Sequence, residues 1–266
     1  TEFECEFLGS VDTLINSTKL RSMSHIVPEQ SNAGLDVYEM PKKGHRYVIT
    51  VDVARGTIND YSAFIVTDAT SIPYKIVAKY KNNEIKPLVF PQIIHKIATS
   101  YNQAEVLIEV NDIGGQVADT MQYDLEYDNL IMVNQRGRSG QIAGTGFSGK
   151  QSQLGLRTTK ATKKIGCSNL KTMIETDKFI IQDFDIIAEL STYILKGKEK
   201  YEAEEGSTDD LVMCLVMFAW LSNQTYFKEL TDQDIRARLV DEQQNMLEQD
   251  MAPFGFIDDG LTDYES

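Results

Sequence analysis

One segment of the chain, residues 209–221 (DDLVMCLVMFAWL), limits the fold more than any other. The eleven residues that follow its two aspartates are all apolar, whereas a helix at a protein surface keeps one polar face. We therefore expect a helix that is buried on every side, with further layers of structure packed around it. An apolar run of this length is too short to cross a membrane, which needs about 18 residues or more.

Upstream of this helix, the pattern of strands and helices predicts a mixed sheet. The first three strands are β-branched runs joined by short turns, which is typical of an antiparallel meander. Helices and strands then alternate, and this alternation requires parallel pairing. The predicted elements are strands 47–54, 61–67 and 74–80, helix 87–101, strand 104–110, helix 112–123, strand 130–133, helices 157–175 and 186–193, and a hairpin or extended piece at 195–205. The expected fold class is α/β, a mixed sheet flanked by helices.

The chain divides into three predicted parts. Residues 1–45 show no clean periodicity and are interpreted as a lead-in with a short helix near 11–17, residues 46–226 form the main domain, and residues 227–266 form an acidic helix and tail. The first residues lack the basic and apolar regions of a signal peptide. A reducing compartment is expected because the three cysteines are widely spaced and odd in number, at Cys5, Cys167 and Cys214.

Charge is distributed unevenly along the chain. The 26 Lys and Arg against 40 Asp and Glu give a net charge of -14, which taken alone argues against a nucleic-acid partner. Residues 129–174, however, contain no acid, eight bases and seven of the 17 glycines. This basic segment is a candidate polyanion site, with a solvated loop and basic helix as the alternative. The bases proposed to make contact are Arg136, Arg138, Lys150, Arg157, Lys160, Lys163 and Lys164.

A glycine motif within this segment invites a nucleotide-binding interpretation. Residues 144–150 (GTGFSGK) fit G-x-G-x-x-G, and they fit a phosphate loop except that Gln151 replaces its Ser or Thr. The preceding strand is predicted to end near Val133, too early for either motif. No acid follows about 20 residues later, where a ribose hydroxyl would need one. We predict a mobile basic loop rather than a nucleotide site.

Acidic residues occupy three positions where a charge is costly. Asp52 lies inside a predicted buried strand, Glu109 ends a later strand, and Asp209 and Asp210 open the apolar helix. A basic partner, an exposed edge or helix capping would explain each one separately. Together they predict a cluster that cations must neutralise, and oxygen ligands suit Mg²⁺ or Mn²⁺. Two such ions can clamp the attacking and leaving oxygens of a phosphodiester.

Several sequence motifs resemble one family, the C-terminal nuclease domain of tailed-phage large terminases, close to the T-even type. The motifs are VDVARG with DYSAF, LIEVNDIGG and YEAEEGSTDDLVMCL, and FECEFLGS resembles the end of that family's ATPase domain. The resemblance covers residues 1–226. It implies a ribonuclease H-like fold and metal-dependent cutting of concatemeric viral DNA.

The resemblance also implies roles for single residues. Asp52 and Glu109 match metal ligands, Asp210 is the preferred third ligand with Asp209 as the alternative, and Asp60 is an accessory acid. Two Mg²⁺ or Mn²⁺ ions are the implied cofactors. Thr208 stands where many relatives have His.

The implied partners are double-stranded DNA, the ATPase domain of the same full-length chain, the portal protein and the small terminase subunit, with no membrane, in the host cell cytoplasm. Without the phosphate loop of the ATPase domain, this chain is not expected to hydrolyse ATP alone. The competing interpretations are a resolvase or integrase nuclease of the same fold, and a non-catalytic module that docks on DNA or the portal.

Overall fold

A computed structural model describes residues 12–54, 60–136, 140–144, 152–197 and 200–231, with backbone alone for 135–136, 140–144 and 152. The first helix, α1 (Ser17–Ser22), lies later than the predicted 11–17 because Asn16 caps it, its side chain accepting from the Thr18 N–H at 2.8 Å. Two short strands follow, β1 (Gln30–Asn32) and β2 (Leu35–Val37), and they join the main sheet.

The three predicted meander strands form the centre of a seven-stranded sheet. They are β3 (Tyr47–Asp52), β4 (Ser62–Asp68) and β5 (Tyr74–Asn82), paired antiparallel as the short turns between them require. Strand β6 (Glu105–Ile108) pairs parallel to β3, which confirms the predicted change of direction. The sheet order is β1-β2-β5-β4-β3-β6, with β10 (Phe179–Ile180) parallel to β5.

Helices cover both faces of the sheet, as predicted. On one face lie α2 (Phe90–Ser100) and α3 (Gly114–Asp119), and α3 continues as one π-helical turn at Thr120–Asp124. On the other lie α4 (Lys160–Glu175), α5 (Phe184–Thr192) and α6 (Asp210–Leu221). Alternate residues of β3 supply the two cores, Ile49 and Val51 one, Val48 the other.

Helix α6 is the central helix of its layer. Every residue from Leu211 to Leu221 is buried, which confirms the prediction from its apolar sequence. Helix α4 packs so closely on α6 that a Cβ atom at Gly166 would lie 2.5 Å from the Val216 carbonyl oxygen. The Thr50 hydroxyl of β3 donates to the Cys214 carbonyl at 2.9 Å and ties α6 to the sheet.

Two smaller sheets complete the described fold. One consists of β7 (Met132–Arg136), β8 (Gly140–Gly144) and β9 (Ser152–Leu154), in the order β8-β7-β9. Residues 145–151, which contain most of the glycine motif, lie outside the described residues, and β9 follows them. The other is the predicted hairpin, β11 (Tyr193–Lys196) with β12 (Lys200–Ala203). No helix in the described ranges has the length and apolarity needed to span a membrane.

Candidate metal centre and adjoining basic cleft

Asp52 and Glu109 end two neighbouring parallel strands. The register pairs Val51 with Ile108, so the next residue is Asp52 on one strand and Glu109 on the other. The Glu109 N–H donates to the Val51 carbonyl at 2.9 Å, which extends the ladder by one step. The two carboxyl groups are hydrogen-bonded to each other. The parallel pairing of β3 and β6 thus brings together two acids that are 57 positions apart in the sequence.

Backbone close to Glu109 holds it in place. A Cβ atom at Gly114 would lie 1.8 Å from the Glu109 carbonyl oxygen, so only glycine allows the start of α3 to pack there. The Glu109 carboxylate accepts a hydrogen bond from the Asn111 amide at 2.8 Å. Asn111 also donates to the Thr158 carbonyl at 3.1 Å, which links this acid to the chain just before α4.

Asp209 and Asp210 reach the same region from α6. Burial first, and then the charges of Glu109, Asp210 and Asp209, raise the pKa of Asp52, so these three carboxyl groups lie within electrostatic reach of Asp52. Asp60 is close enough to act on Asp210 in the same way. The structure therefore places the proposed acids within electrostatic range of Asp52 or Asp210, and their role as metal ligands stays a prediction.

Capping does not explain the two aspartates at the start of α6. Asp209 occupies the N-cap position but makes no side-chain capping hydrogen bond. The buried carboxylate of Glu189, on α5, accepts from the Leu211 and Val212 N–H groups at 2.9 and 3.0 Å. Glu189 therefore satisfies the helix end that α6 presents. The alternative role considered for the aspartates, capping their own helix, is performed by another residue.

Lys81 is the cation nearest to the third acid among the described residues. Its ammonium group pairs with Glu189 and donates to the Thr208 hydroxyl at 2.7 Å. The distance from its Nζ to Asp210 Oδ2 is 3.8 Å. Sequence analysis missed both Lys81 and Glu189. The available signal for Glu189 was a single acid within the otherwise apolar run IIAEL.

The pKa values of two acids are raised, and the causes indicate that the cluster lacks a cation. Burial first, and then the neighbouring Glu109, raise the pKa of Asp52 well above its usual range. Burial, then Glu189, and to a smaller degree Asp209 and Asp60, raise the pKa of Asp210 to about 7, while Lys81 opposes the shift. Carboxyl groups in this situation hold a proton unless a cation replaces it.

The donor set fits hard divalent cations. Asp210 Oδ2 is buried and has no hydrogen-bond partner within the described part of the chain, which leaves a lone pair without a ligand. Every proposed ligand atom is a carboxylate oxygen, the type that Mg²⁺ and Mn²⁺ prefer. Asp52, Glu109 and Asp210 could therefore hold such ions, with Asp209 and Asp60 beside them.

A tighter acidic group lies elsewhere on the sheet. Among the described residues, only Asp36, Asp183 and Asp185 bring one ligand oxygen each within 4.8 Å of one another. The Lys79 ammonium already sits among these oxygens, 3.0 Å from Asp36 and 3.8 Å from Asp183 and in contact with Asp185. This group is neutralised by a lysine, whereas the Asp52 cluster has wider spacing, with Lys81 3.8 Å from Asp210 and Lys163 3.7 Å from Asp209.

The bases proposed for polyanion contact fall into three groups. Arg138 and Lys150 lie outside the described residues, and of Arg136 the backbone alone is described, in β7. Arg157 is exposed shortly before α4. The remaining three line a cleft of about 600 Å³ at the start of α4, and they are Lys160, Lys163 and Lys164.

The fold and the acidic cluster define the class of this domain. A mixed sheet with helices on both faces and acids at the ends of two parallel strands is a ribonuclease H-like domain. The chain belongs to the terminase RNaseH-like domain family, whose model matches residues 49–225.

Solved structures of terminase nucleases share the fold. The magnesium-bound large terminase nuclease of thermophilic phage G20c has a TM-score of 0.60 at 19% identity, covering 79% of this chain and 97% of that one. Its cobalt-bound form gives 0.59 at 18%, with the same coverage. The large terminase nuclease domain of Thermus phage P74-26 gives 0.54 at 16%, covering 77% of this chain and 92% of that one.

Proposed function

We propose that this domain is a metal-dependent endonuclease that cuts concatemeric viral double-stranded DNA during genome packaging. The observation that supports this most directly is the pairing of Asp52 with Glu109 at the ends of adjacent strands, with the unpartnered Asp210 oxygen near them. Such a cluster is costly without a cation. Nuclease domains with bound magnesium and cobalt share the fold and add support.

In the proposed site, Asp52, Glu109 and Asp210 hold two Mg²⁺ or Mn²⁺ ions. Asp52 interacts electrostatically with both of the other acids, so it would be the central ligand of the set. Asp209 is the alternative third ligand and Asp60 an accessory acid. When bound, such ions stabilise the charge that develops on the attacking and leaving oxygens of a phosphodiester. In this proposal the acids hold the ions, and other residues of the chain orient the acids and neutralise nearby charge.

Two further residues position the third acid. Glu189 anchors the start of α6 through two backbone N–H groups, which fixes where Asp210 points. Lys81 neutralises Glu189, so that this second buried carboxylate does not compete for cations. The lysines at the start of α4 bind the DNA backbone without reading bases, since phosphate contacts position a protein but carry no sequence information.

The biological setting is proposed from the family. The domain would act as part of a full-length terminase together with its ATPase domain, in contact with the portal protein and the small terminase subunit, in the host cell cytoplasm. Membership of the terminase RNaseH-like family supports this setting.

The test is plasmid cutting combined with metal binding. Asp52→Asn should abolish Mn²⁺-dependent conversion of supercoiled plasmid to nicked and linear forms, and should weaken Mn²⁺ binding in calorimetry, with an unchanged circular dichroism spectrum. Asp185→Asn is the matched control, because it removes one acid from the tighter group around Lys79. Full activity of Asp52→Asn, or loss of metal binding in Asp185→Asn alone, would overturn the proposal.

A further inference from the structure

A cleft beside the acidic cluster carries a concentrated positive charge. We call it the lysine cleft; it lies between the start of α4 and the hairpin β11–β12 and measures about 600 Å³. Its lining contains five lysines and no acid, in a chain whose net charge is -14. Three lysines come from α4, and two, Lys196 and Lys200, come from the hairpin. Like charges gathered from two separate elements repel one another unless an anion lies between them.

Among the described residues, the carboxylates near these lysines include Glu202, which acts on Lys163, Lys196 and Lys200, and Asp209, which lies near Lys163. Lys200 pairs with Glu202, and Lys163 lies 3.7 Å from Asp209 Oδ2. Lys200 is exposed and Lys163 partly so, and ion pairs near solvent contribute little. Within the described ranges, no carboxylate pairs with Lys160 or Lys196. A phosphate entering the cleft would therefore displace only weak contacts.

A buried hydroxyl in the lining also lacks a partner. Thr158 lines the lysine cleft, and its Oγ1 is shielded from solvent without a hydrogen bond to any described residue. Buried polar atoms in folded proteins almost always have partners. The first turn of α4 adds a positive helix end beside it, with backbone N–H groups that attract anions. A phosphate in the cleft would face these N–H groups, and it would reach the shielded Thr158 hydroxyl once that side chain rotates.

The lysine cleft is connected to the acidic cluster at two points. Asn111 bridges the Glu109 carboxylate and the Thr158 carbonyl. Lys163 lines the cleft, and its Nζ lies 3.7 Å from Asp209 Oδ2. An anion in the cleft would therefore adjoin the acidic cluster through Asn111 and Lys163.

We infer that the lysine cleft binds a DNA backbone phosphate next to the one that is cut, with Lys196 and Lys200 forming the wall opposite α4. This inference rests on the proposed function and adds the hairpin and Thr158 to the DNA-binding surface. Binding is electrostatic and independent of sequence, because the lining offers ammonium, hydroxyl and backbone N–H donors.

The first experiment measures DNA affinity without cutting. Fluorescence anisotropy of a labelled 20-base-pair duplex in EDTA compares the wild-type chain with Lys196→Gln/Lys200→Gln. Each phosphate contact adds about 0.9 to the slope of log affinity against log salt, or roughly eightfold in affinity at 0.1 M salt. Because the cleft is inferred to hold one phosphate, the double variant should lose roughly eightfold in affinity, and its slope should fall by about 0.9.

The control variant carries the same loss of charge on the opposite face of the sheet. Lys86→Gln/Lys96→Gln changes two exposed lysines around α2, and its affinity and slope should match the wild type. If both double variants lost DNA affinity equally, the loss would come from net charge alone, and the inference would be overturned. Unchanged affinity in Lys196→Gln/Lys200→Gln would overturn it as well. Inorganic phosphate at millimolar concentration should not displace the duplex; if it does, a free-phosphate site replaces the DNA site.

Thr158→Val provides a second, independent test. Removing an unpartnered buried hydroxyl should leave the unfolding free energy unchanged or higher, while loss of a hydrogen bond to a charged phosphate should weaken DNA binding about tenfold. Wild-type affinity in this variant would refute the role of Thr158. Plasmid cutting by the wild type is measured separately. If the wild type cuts plasmid but its binding does not depend on these lysines, only this inference is overturned. If its binding depends on the lysines but it does not cut, only the proposed nuclease activity is overturned.

Discussion

Asp210→Asn gives the most quantitative test of the acidic cluster. The pKa of Asp210 rises to about 7 in the folded chain from an ordinary value of 3.8, first through burial and then through Glu189. The folded form therefore binds this proton more tightly than the unfolded form, so stability is lost as the pH rises from about 4 to about 7. A difference of about three pH units corresponds to about 4 kcal/mol. Only 13% of the side chain is exposed, so solvent screens little of this effect.

The expected outcome is a metal-free variant that is more stable than the wild type at high pH. In urea denaturation with EDTA at pH 8, Asp210→Asn should gain up to about 4 kcal/mol, an upper figure because neighbouring carboxyl groups can take up the proton instead. Most of the gain should be lost by about pH 4, and it should disappear below about pH 3, where the aspartate is protonated in both states. Mg²⁺ should stabilise the wild type more than the variant, since the cation takes the place of the proton.

The opposite result would refute this reasoning. If Asp210 served mainly as an ion-pair partner of Lys81, asparagine would lower the stability at pH 8 in EDTA. Asp128→Asn is the control, because Asp128 is exposed and far along the chain from every acid of the cluster. Its unfolding free energy should equal that of the wild type at both pH values.

Two further substitutions test how the site is held. Gly114→Ala places a Cβ atom 1.8 Å from the Glu109 carbonyl oxygen. It should lower the unfolding free energy by about 1–3 kcal/mol and weaken metal binding. In the control Gly115→Ala, the nearest atom to the new Cβ lies at 4.0 Å, so stability should not change. Glu189→Ala leaves buried N–H groups and Lys81 without their partner and should cost about 3–5 kcal/mol, measured by denaturation; a cost below 1 kcal/mol would remove Glu189 from its positioning role.

Hydrophobic periodicity was enough to predict most of the fold. The meander, the parallel strand, the hairpin and the buried α6 all lie close to their predicted ranges. These elements are set by local patterns, two-residue alternation for strands and apolar content for helices. The short strands β1 and β2 were not predicted, because three residues give too little pattern to recognise. Their place in the sheet depends on pairing with β5, a contact about 40 residues away.

The candidate site was predicted in its acids but not in its supporting residues. Asp52 and Glu109 stand out in the sequence because a charge within or at the end of an apolar strand demands a reason. Lys81 gives no comparable signal, and the acid within the apolar run IIAEL does not reveal the role of Glu189, since both roles come from a contact between β5, α5 and the start of α6. The structure was also needed to reject Asp209 and Asp210 as caps of α6, because it shows Glu189 in that role.

The sequence by itself determined which residues are costly: acids in apolar surroundings, a basic segment without acids, and a helix with no polar face. Local chemistry sets that cost, so it is visible without a fold. Only the tertiary structure decided how each cost is offset. The parallel register of β3 and β6 joins Asp52 to Glu109, and the packing of α4 against the hairpin gathers five lysines into one cleft. Both depend on contacts between residues far apart in the chain, which no local pattern specifies.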